Sequence, residues 1–442
     1  MLVFEFKTYG KAFQFQAIDE AIRTTQFIRN KAIRLWMEGL ASSWIELSRH
    51  CALLAKEFPF ANKLNSMARQ AAAERAWAAI SRFYDNCKKR ESDHRGVSPW
   101  RISRKVCRGD TPPGELCKKK ISGKKGFPQF QKNCRSVEYK STGWKLADDR
   151  KSITFTDKNG IGRLKLKGTR DLHFYQINQI KRVRLVKRAD GVYAQFCVDV
   201  ERLEFIQPTH QTVGLDVGLE SFYTDSNGLK IENPRFYRTG ERKMKRSQRL
   251  VSRKVKGSSN RRASRNRLGR VHLKISRQRK DHAVKLARCV ITSNDVVVYE
   301  DLRIKNMVKN HCLAKSINDA GWYQFRVWLE YFGRVFKRIT ISVNPSYTSQ
   351  ECSNCGSIVK KSLSTRTHVC QCGCKLDRDH NASLNILNLG LGAVGHTGTF
   401  ALAESWARED SRVNLSKTDA SNALGETTST LVGEILHEQV VS

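Results

Sequence analysis

Apolar and polar positions alternate crudely over residues 2–15 (Val3, Phe4, Phe6, Tyr9, Phe13, Phe15), a period that predicts short strands. From Ala17 the period becomes helical. Ile18, Ala21, Ile22, Ile28, Ala32, Leu35 and Trp36 fall on one face, with Arg23, Arg29, Lys31 and Arg34 mostly elsewhere. An Ala-rich amphipathic stretch from about 61 to 87, holding Trp77, Ile80 and Phe83, completes a predicted helical module over roughly 16–95. Residues 96–126 are rich in Gly, Pro and Lys and read as a linker or basic loop. Between 127 and about 205 the pattern is β: runs at 152–156, 164–167, 183–186 and 193–198 are separated by Asn159-Gly160 and Asp190-Gly191. Short, regularly spaced strands predict a small barrel or sandwich, which the N-terminal strands could join with the helices inserted between.

Beyond residue 205 the pattern predicts a hairpin (213–217 and 221–225), long charged helices around Gly257-Ser-Ser-Asn260, and a strand at 296–300. A helix at 319–338, a strand at 339–343 and a helix from Asn381 follow. Three carboxylates punctuate this series. Asp216 lies inside the apolar run Thr212-Val-Gly-Leu-Asp216-Val-Gly, Glu300 ends Val296-Val-Val-Tyr-Glu300, and Asp379 precedes the last helical pattern. A carboxylate embedded in such a run is costly unless its charge is compensated. Acids at strand ends and a helix start, far apart in sequence, are what a two-metal phosphoryl-transfer site requires, since two divalent cations roughly 3.5–4 Å apart need carboxylates from several rigid elements. Strand, hairpin, strand, helix, strand and helix around three acids describe an RNase H-like layout. Taken singly, each acid could instead cap a helix or pair with a surface lysine.

Charge narrows the partners. Eighty Lys and Arg against forty-two Asp and Glu give a formal charge of +38 over 442 residues. Such a charge repels itself unless a polyanion neutralises it, and nucleic acid is the polyanion that fits. Between residues 235 and 280 there are nineteen Lys or Arg and one acid, Glu241, which predicts a phosphate-contacting surface. The absence of an apolar run of 18 residues or of a basic-then-apolar leader leads to the expectation of a cytosolic protein without a membrane partner. After residue 395 seven acids face three basic residues amid Ser, Thr and Ala, the composition of a disordered tail.

Of thirteen cysteines, eight are scattered and five crowd into 352–374. Cys352-Ser-Asn-Cys355-Gly356 is a zinc-knuckle pattern, and fourteen residues separate Cys355 from Cys370-Gln-Cys372-Gly373-Cys374. Paired cysteine turns at this spacing make a four-thiolate zinc ribbon. Spacing alone leaves one thiol spare, with either Cys372 or Cys374 as the fourth ligand.

Four stretches carry a resemblance: Gly214-Leu-Asp216-Val-Gly-Leu219, Tyr299-Glu300-Asp301-Leu302, Thr348-Ser-Gln-Glu-Cys352-Ser-Asn-Cys355-Gly356 and Asp377-Arg-Asp379-His-Asn381-Ala382. Together they resemble the TnpB family, transposon-associated RNA-guided nucleases related to type V CRISPR effectors. In order and spacing they are similar to three RuvC segments with a zinc ribbon before the third. The resemblance implies an α/β multidomain protein. A wedge-type β-barrel would occupy 1–15 and 127–205, with a helical recognition lobe and basic linker inserted over 16–126. An RNase H-like (RuvC) nuclease domain would occupy 206–348 and 375–395, with the zinc ribbon inserted at 349–374 and a tail over 396–442. It further implies a guide RNA encoded at the transposon end and double-stranded target DNA, cut next to a short motif that the protein reads while base pairing reads the rest. Carried over by position, Asp216, Glu300 and Asp379 become catalytic acids holding two Mg²⁺ (or Mn²⁺) ions. Cys352, Cys355, Cys370 and Cys372 become the ligands of a structural Zn²⁺, and Asp301 and Asp377 become supporting acids. Ser383 stands where the family more often has Ala.

Three rival functions share these features: an RNA-guided repressor without cleavage, a transposase or resolvase acting without a guide, and a zinc-ribbon RNA-binding protein. The intact acids count against the first and the modules before Asp216 against the second, while the third leaves Asp216 and Glu300 unexplained.

Overall fold

The structure, a computed structural model, describes residues 2–93, 126–362 and 365–394. The expected tail (396–442) and, apart from Gly126, the expected linker (96–126) lie outside the described residues. Two units, 1–201 and 202–442, each have their own core.

In the first unit the N-terminal alternation yields one strand, β1 (Leu2–Tyr9), and then stops: α1 (Ala12–Met37) begins earlier than its period suggested. Phe13 and Phe15, read as strand positions, are helical. The buried residue between them is Gln14, whose amide donates to the carbonyls of Ile161 (2.6 Å) and Arg163 (2.9 Å), while Phe13 stays exposed. Next come α2 (Trp44–Glu57), α3 (Pro59–Lys63) and α4 (Ser66–Asp93). The apolar period does not set α2 apart, although Ser43 and Glu46 form a capping box at its start. Ala68, Ala72 and Ala76 of α4 are buried, so small side chains allow helices to approach closely.

Six strands follow: β2 (Ser136–Lys140), β3 (Trp144–Leu146), β4 (Ser152–Phe155), β5 (Gly162–Lys167), β6 (Ile180–Arg188) and β7 (Gly191–Val198). With β1 they form a seven-stranded antiparallel sheet in the order β2-β6-β7-β1-β5-β4-β3, whose edge strands are consecutive in the chain. Helices and sheet share one core, in which Ile18, Ile28 and Ile80 join Tyr139, Ile153 and Phe196.

The second unit is built on a five-stranded sheet of β8 (Thr212–Asp216), β9 (Ser221–Asp225), β10 (Lys230–Glu232), β11 (Val296–Glu300) and β12 (Ile339–Val343), in the order β10-β9-β8-β11-β12. The hairpin strands pair antiparallel, whereas β8, β11 and β12 run parallel. The connection from β8 to β11 passes through the hairpin and two basic helices, α5 (Phe236–Ser252) and α6 (Ser259–Ser293). Between β11 and β12 lie α7 (Ile304–Met307), α8 (His311–Ala320) and α9 (Trp322–Val335). The single helix expected over 319–338 is thus two pieces, because Gly321 takes a left-handed φ of 75° and ends α8. Asp319 belongs to α8. Its buried carboxylate accepts from the Tyr237 and Arg238 amides at the start of α5 (2.7 and 3.1 Å) and pairs with Arg279. The chain then forms a small hairpin, β13 (Thr367–Val369) and β14 (Lys375–Asp377), and ends its described part in α10 (Arg378–Val394). Among the described residues no helix is long and apolar enough to cross a membrane.

Strand alternation fixes which residues meet which layer. Val213, Leu215, Val297 and Tyr299 join the core beneath α6 and α9. Val296 and Val298, one position out of phase, pack with Ile386 of α10. By the same period of two, Gly214, Asp216 and Glu300 face α10. Gly214 permits the close approach there: a Cβ on it would stand 2.2 Å from the Ser383 carbonyl oxygen and 2.8 Å from the Leu387 nitrogen.

Candidate active site and metal centre

Asp216 and Glu300 are the last residues of two adjacent parallel strands. The register pairs Leu215 with Tyr299, so the acids that follow are neighbours on the face covered by α10. Asp379 enters from that helix, in its first turn. The three predicted acids therefore converge from three elements, outside the carboxyl ends of parallel strands where open α/β sheets bind ligands.

Their electrostatics are unfavourable as they stand. Burial pushes Asp216 well above the usual carboxylate range, and the negative charges of Glu300 and Asp379 push it the same way. Arg378 opposes and Asp377 adds. Burial also raises Glu300, partly offset by the Thr348 hydroxyl, whose Oγ1 donates to Glu300 Oε1 at 2.6 Å. Asp379 Oδ1 accepts from Arg378 Nε at 3.2 Å, and Arg366 lies 4.0 Å from its other oxygen. Among the described residues no hydrogen bond or ion pair reaches the Asp216 side chain.

The adjacent acids have other employment. Asp377 caps α10, accepting from the Asp379 and His380 amides at 3.0 and 3.3 Å, and pairs with Lys230 at 2.8 Å. Asp301 is exposed and pairs with Arg326.

The cysteines gather more tightly. Cys352, Cys355, Cys370 and Cys372 bring their sulfurs within 4.8 Å of one another, with Cys352–Cys372 at 3.7 Å and Cys355–Cys370 at 3.5 Å. Among the described residues no other group of three or more His, Cys, Asp or Glu ligand atoms is drawn together so closely. Cys374 lies beside Cys352 but outside the quartet. Two of the four thiols are prepared to ionise, whereas Cys370 is pushed up to about 12: the Cys372 amide lowers it, but burial and the neighbouring Cys355, Cys372 and Cys352 thiols outweigh that. The Ser357 hydroxyl and amide, with help from Cys372 and Cys370, hold Cys355 down at about 6. At Cys352 burial raises the pKa, yet the Cys355 and Asn354 amides bring it below the ordinary thiol value. Four convergent cysteine sulfurs fit a tetrahedral zinc site.

Side chains that sequence reasoning gave no role bind these parts together. Asn381 and Asn385, buried and one turn apart on α10, donate to the carbonyl of Glu351 at 2.7 Å each. Asn385 also reaches the Thr348 carbonyl at 2.8 Å, and Asn381 Oδ1 accepts from the Ser353 amide at 3.0 Å. Thr348 and Asn381 lay within distinctive stretches of the sequence, but nothing in spacing alone links Thr348 to Glu300. Away from the acids, α5 and α6 enclose a cavity of about 490 Å³ lined by Phe236, Lys243, Arg267, Arg270 and Lys274.

A mixed sheet with carboxylates at the ends of its parallel strands is thus joined to a four-cysteine cluster that fits a zinc site. Comparison with known proteins narrows the resemblance. Residues 195–311 match the OrfB_IS605 family, described as a probable transposase, and residues 322–386 match the Cas12f1-like TNB domain. Over 187 residues the chain is 40% identical to a Streptomyces pristinaespiralis protein provisionally named RNA-guided DNA endonuclease, covering 42% of this chain and 46% of that one. It is 28% identical over 281 residues to InsQ of Escherichia coli K12, named in the same way, covering 60% of this chain and 68% of that one. The match thus spans about half the length of the first relative and about two thirds of the second. A solved complex of Cas12f1 with sgRNA and target DNA aligns at a TM-score of 0.46 and 14% identity, covering 85% of this chain and 81% of that one. The resemblance to TnpB holds: the chain carries the OrfB_IS605 and TNB signatures in succession.

Proposed function

We propose that this chain is an RNA-guided DNA endonuclease of an insertion-sequence element, hydrolysing DNA phosphodiesters at Asp216, Glu300 and Asp379. One observation carries the reading: Asp216, without a donor of its own, lies close to two further carboxylates, Glu300 at the end of the neighbouring parallel strand and Asp379 in the first turn of α10. An all-oxygen set crowded in this way suits hard divalent cations, Mg²⁺ or Mn²⁺, whose charge relieves the crowding. When bound, such ions supply Lewis acidity and a water of lowered pKa. The chain's own part is positional. The sheet fixes Asp216 and Glu300 side by side, α10 delivers Asp379, and Arg378 beside Asp379 offers a guanidinium to a phosphodiester.

In this reading the second unit is a RuvC-like domain with residues 349–374 as its inserted zinc ribbon. The first unit is a wedge-type barrel with a helical recognition lobe. Cys352, Cys355, Cys370 and Cys372 hold Zn²⁺. The cationic groove of α5 and α6 contacts nucleic-acid phosphates, and the partners are a guide RNA from the element's end and double-stranded target DNA. The names of the Streptomyces and Escherichia relatives support this assignment.

The test is to sequence the RNA that co-purifies with the protein when it is expressed with its native downstream flank. A single species with a variable 3′ segment, which then programs cleavage that D216A abolishes, is the expected result. Heterogeneous RNA, or cleavage that ignores the guide, overturns the guided reading. Cleavage by D216A overturns the site.

A further inference from the structure

The root of the cysteine ribbon is stitched to α10 and to Glu300 by polar side chains that the metal-site reading leaves unused. Thr348 is 4% exposed, and its backbone is fixed from α10, because Asn385 donates to its carbonyl. Asn385 and Asn381 both donate to the Glu351 carbonyl, and the Ser353 amide donates back to Asn381. Buried amides paired in this way hold a loop as a strand ladder would. The Thr348 hydroxyl then has one proton to give. Glu300 Oε1 lies at 2.6 Å and the Pro345 carbonyl at 3.3 Å, so the carboxylate takes it.

We propose that Thr348 is a positioning residue: its hydroxyl selects the Glu300 carboxylate orientation that faces Asp216, and the asparagine clamp ties that orientation to the ribbon root. This rests on the reading of Glu300 as a metal-binding acid. A rotating carboxylate at the end of a strand offers a cation several geometries. One held by a charge-assisted hydrogen bond from a fixed hydroxyl offers one, and metal affinity rises with that preorganisation. The second link is architectural. The five residues from Thr348 to Cys352 contain the Thr348 contact, the Glu351 clamp and the first ribbon cysteine, so movement of the ribbon root is transmitted to Glu300.

The test uses the full-length, zinc-loaded protein and Mn²⁺ as the probe. Calorimetry follows the binding component that D216A removes, in the parent and in T348V, T348A and T348S, with thermal melting as the fold control. The expected result is a roughly tenfold to hundredfold weaker affinity in T348V and T348A, with T348S close to the parent and melting temperatures little changed. T348A leaves a smaller side chain than T348V, so one of the two reports even where the other folds poorly. Parental Mn²⁺ affinity in T348V or T348A, with E300Q impaired, overturns the positioning role and leaves the acid site standing. Parental affinity in E300Q overturns the acid-site reading itself.

Discussion

Gly214 of β8 lies directly beneath Ser383 of α10: a Cβ at position 214 would stand 2.2 Å from the Ser383 carbonyl oxygen. That carbonyl belongs to backbone and cannot swing aside, so a methyl group there must lift the helix. G214A is therefore expected to cost about 1–3 kcal/mol from overpacking. Because α10 carries Asp379, a displacement near 1 Å would also lower cleavage about a hundredfold. Urea denaturation and a cleavage assay on the same preparation check both, and parental values in each would show that the helix is not seated as described.

The crowding at Asp216 has a pH signature in metal-free protein. Burial and neighbouring negative charge raise its folded-state pKa, so the folded state binds protons more tightly than the unfolded chain. The stability this group contributes is therefore present below its unfolded pKa, about 4, and is lost as pH rises through the raised folded value. D216N should remove that dependence and raise the neutral-pH melting temperature of metal-free protein. Melting curves across pH 4–8, with and without Mg²⁺, measure it. An unchanged or steeper loss in D216N contradicts the crowding.

The quartet makes a distinction among cysteines. C352S, C355S, C370S or C372S should each reduce bound zinc, by metal analysis of purified protein, whereas C374S should keep one zinc per chain. Loss of zinc in C374S with retention in C372S would reverse the assignment of the fourth ligand.

The basic helices should reveal themselves through salt. Replacing Lys243, Arg267 and Lys274 with Ala removes three cations from the α5–α6 cavity. If all three meet phosphates, the slope of log affinity against log salt should flatten by about 2 to 3. Filter binding over a salt series is sufficient, and an unchanged slope places the nucleic acid elsewhere.

The strands bearing Asp216 and Glu300 are legible in sequence because each is a short apolar run that carries the acid at or near its end, whereas their common face follows from the strand register. Cysteine spacing likewise announces a ribbon. Where local pattern and tertiary use diverge, sequence misleads. Phe13 and Phe15 alternate like strand residues, yet Gln14 is the buried position and the segment is helical. The apolar period near Gly321 runs unbroken through a left-handed turn that splits two helices. The fourth cysteine and the Thr348–Glu300 bond depend on which residues meet after folding, 48 positions apart in the second case, and no periodicity encodes that.

The clamp on α10 also sets an order of events during synthesis. Asp216 and Glu300 leave the ribosome well before the residues that supply Asp379, Asn381 and Asn385. A nascent chain can form the parallel strands, yet it lacks the third acid and the asparagines that tether the ribbon root. On the proposed function, the cutting centre would be withheld until α10 has emerged, which would keep partly made chains from attacking nucleic acid that their positive charge attracts.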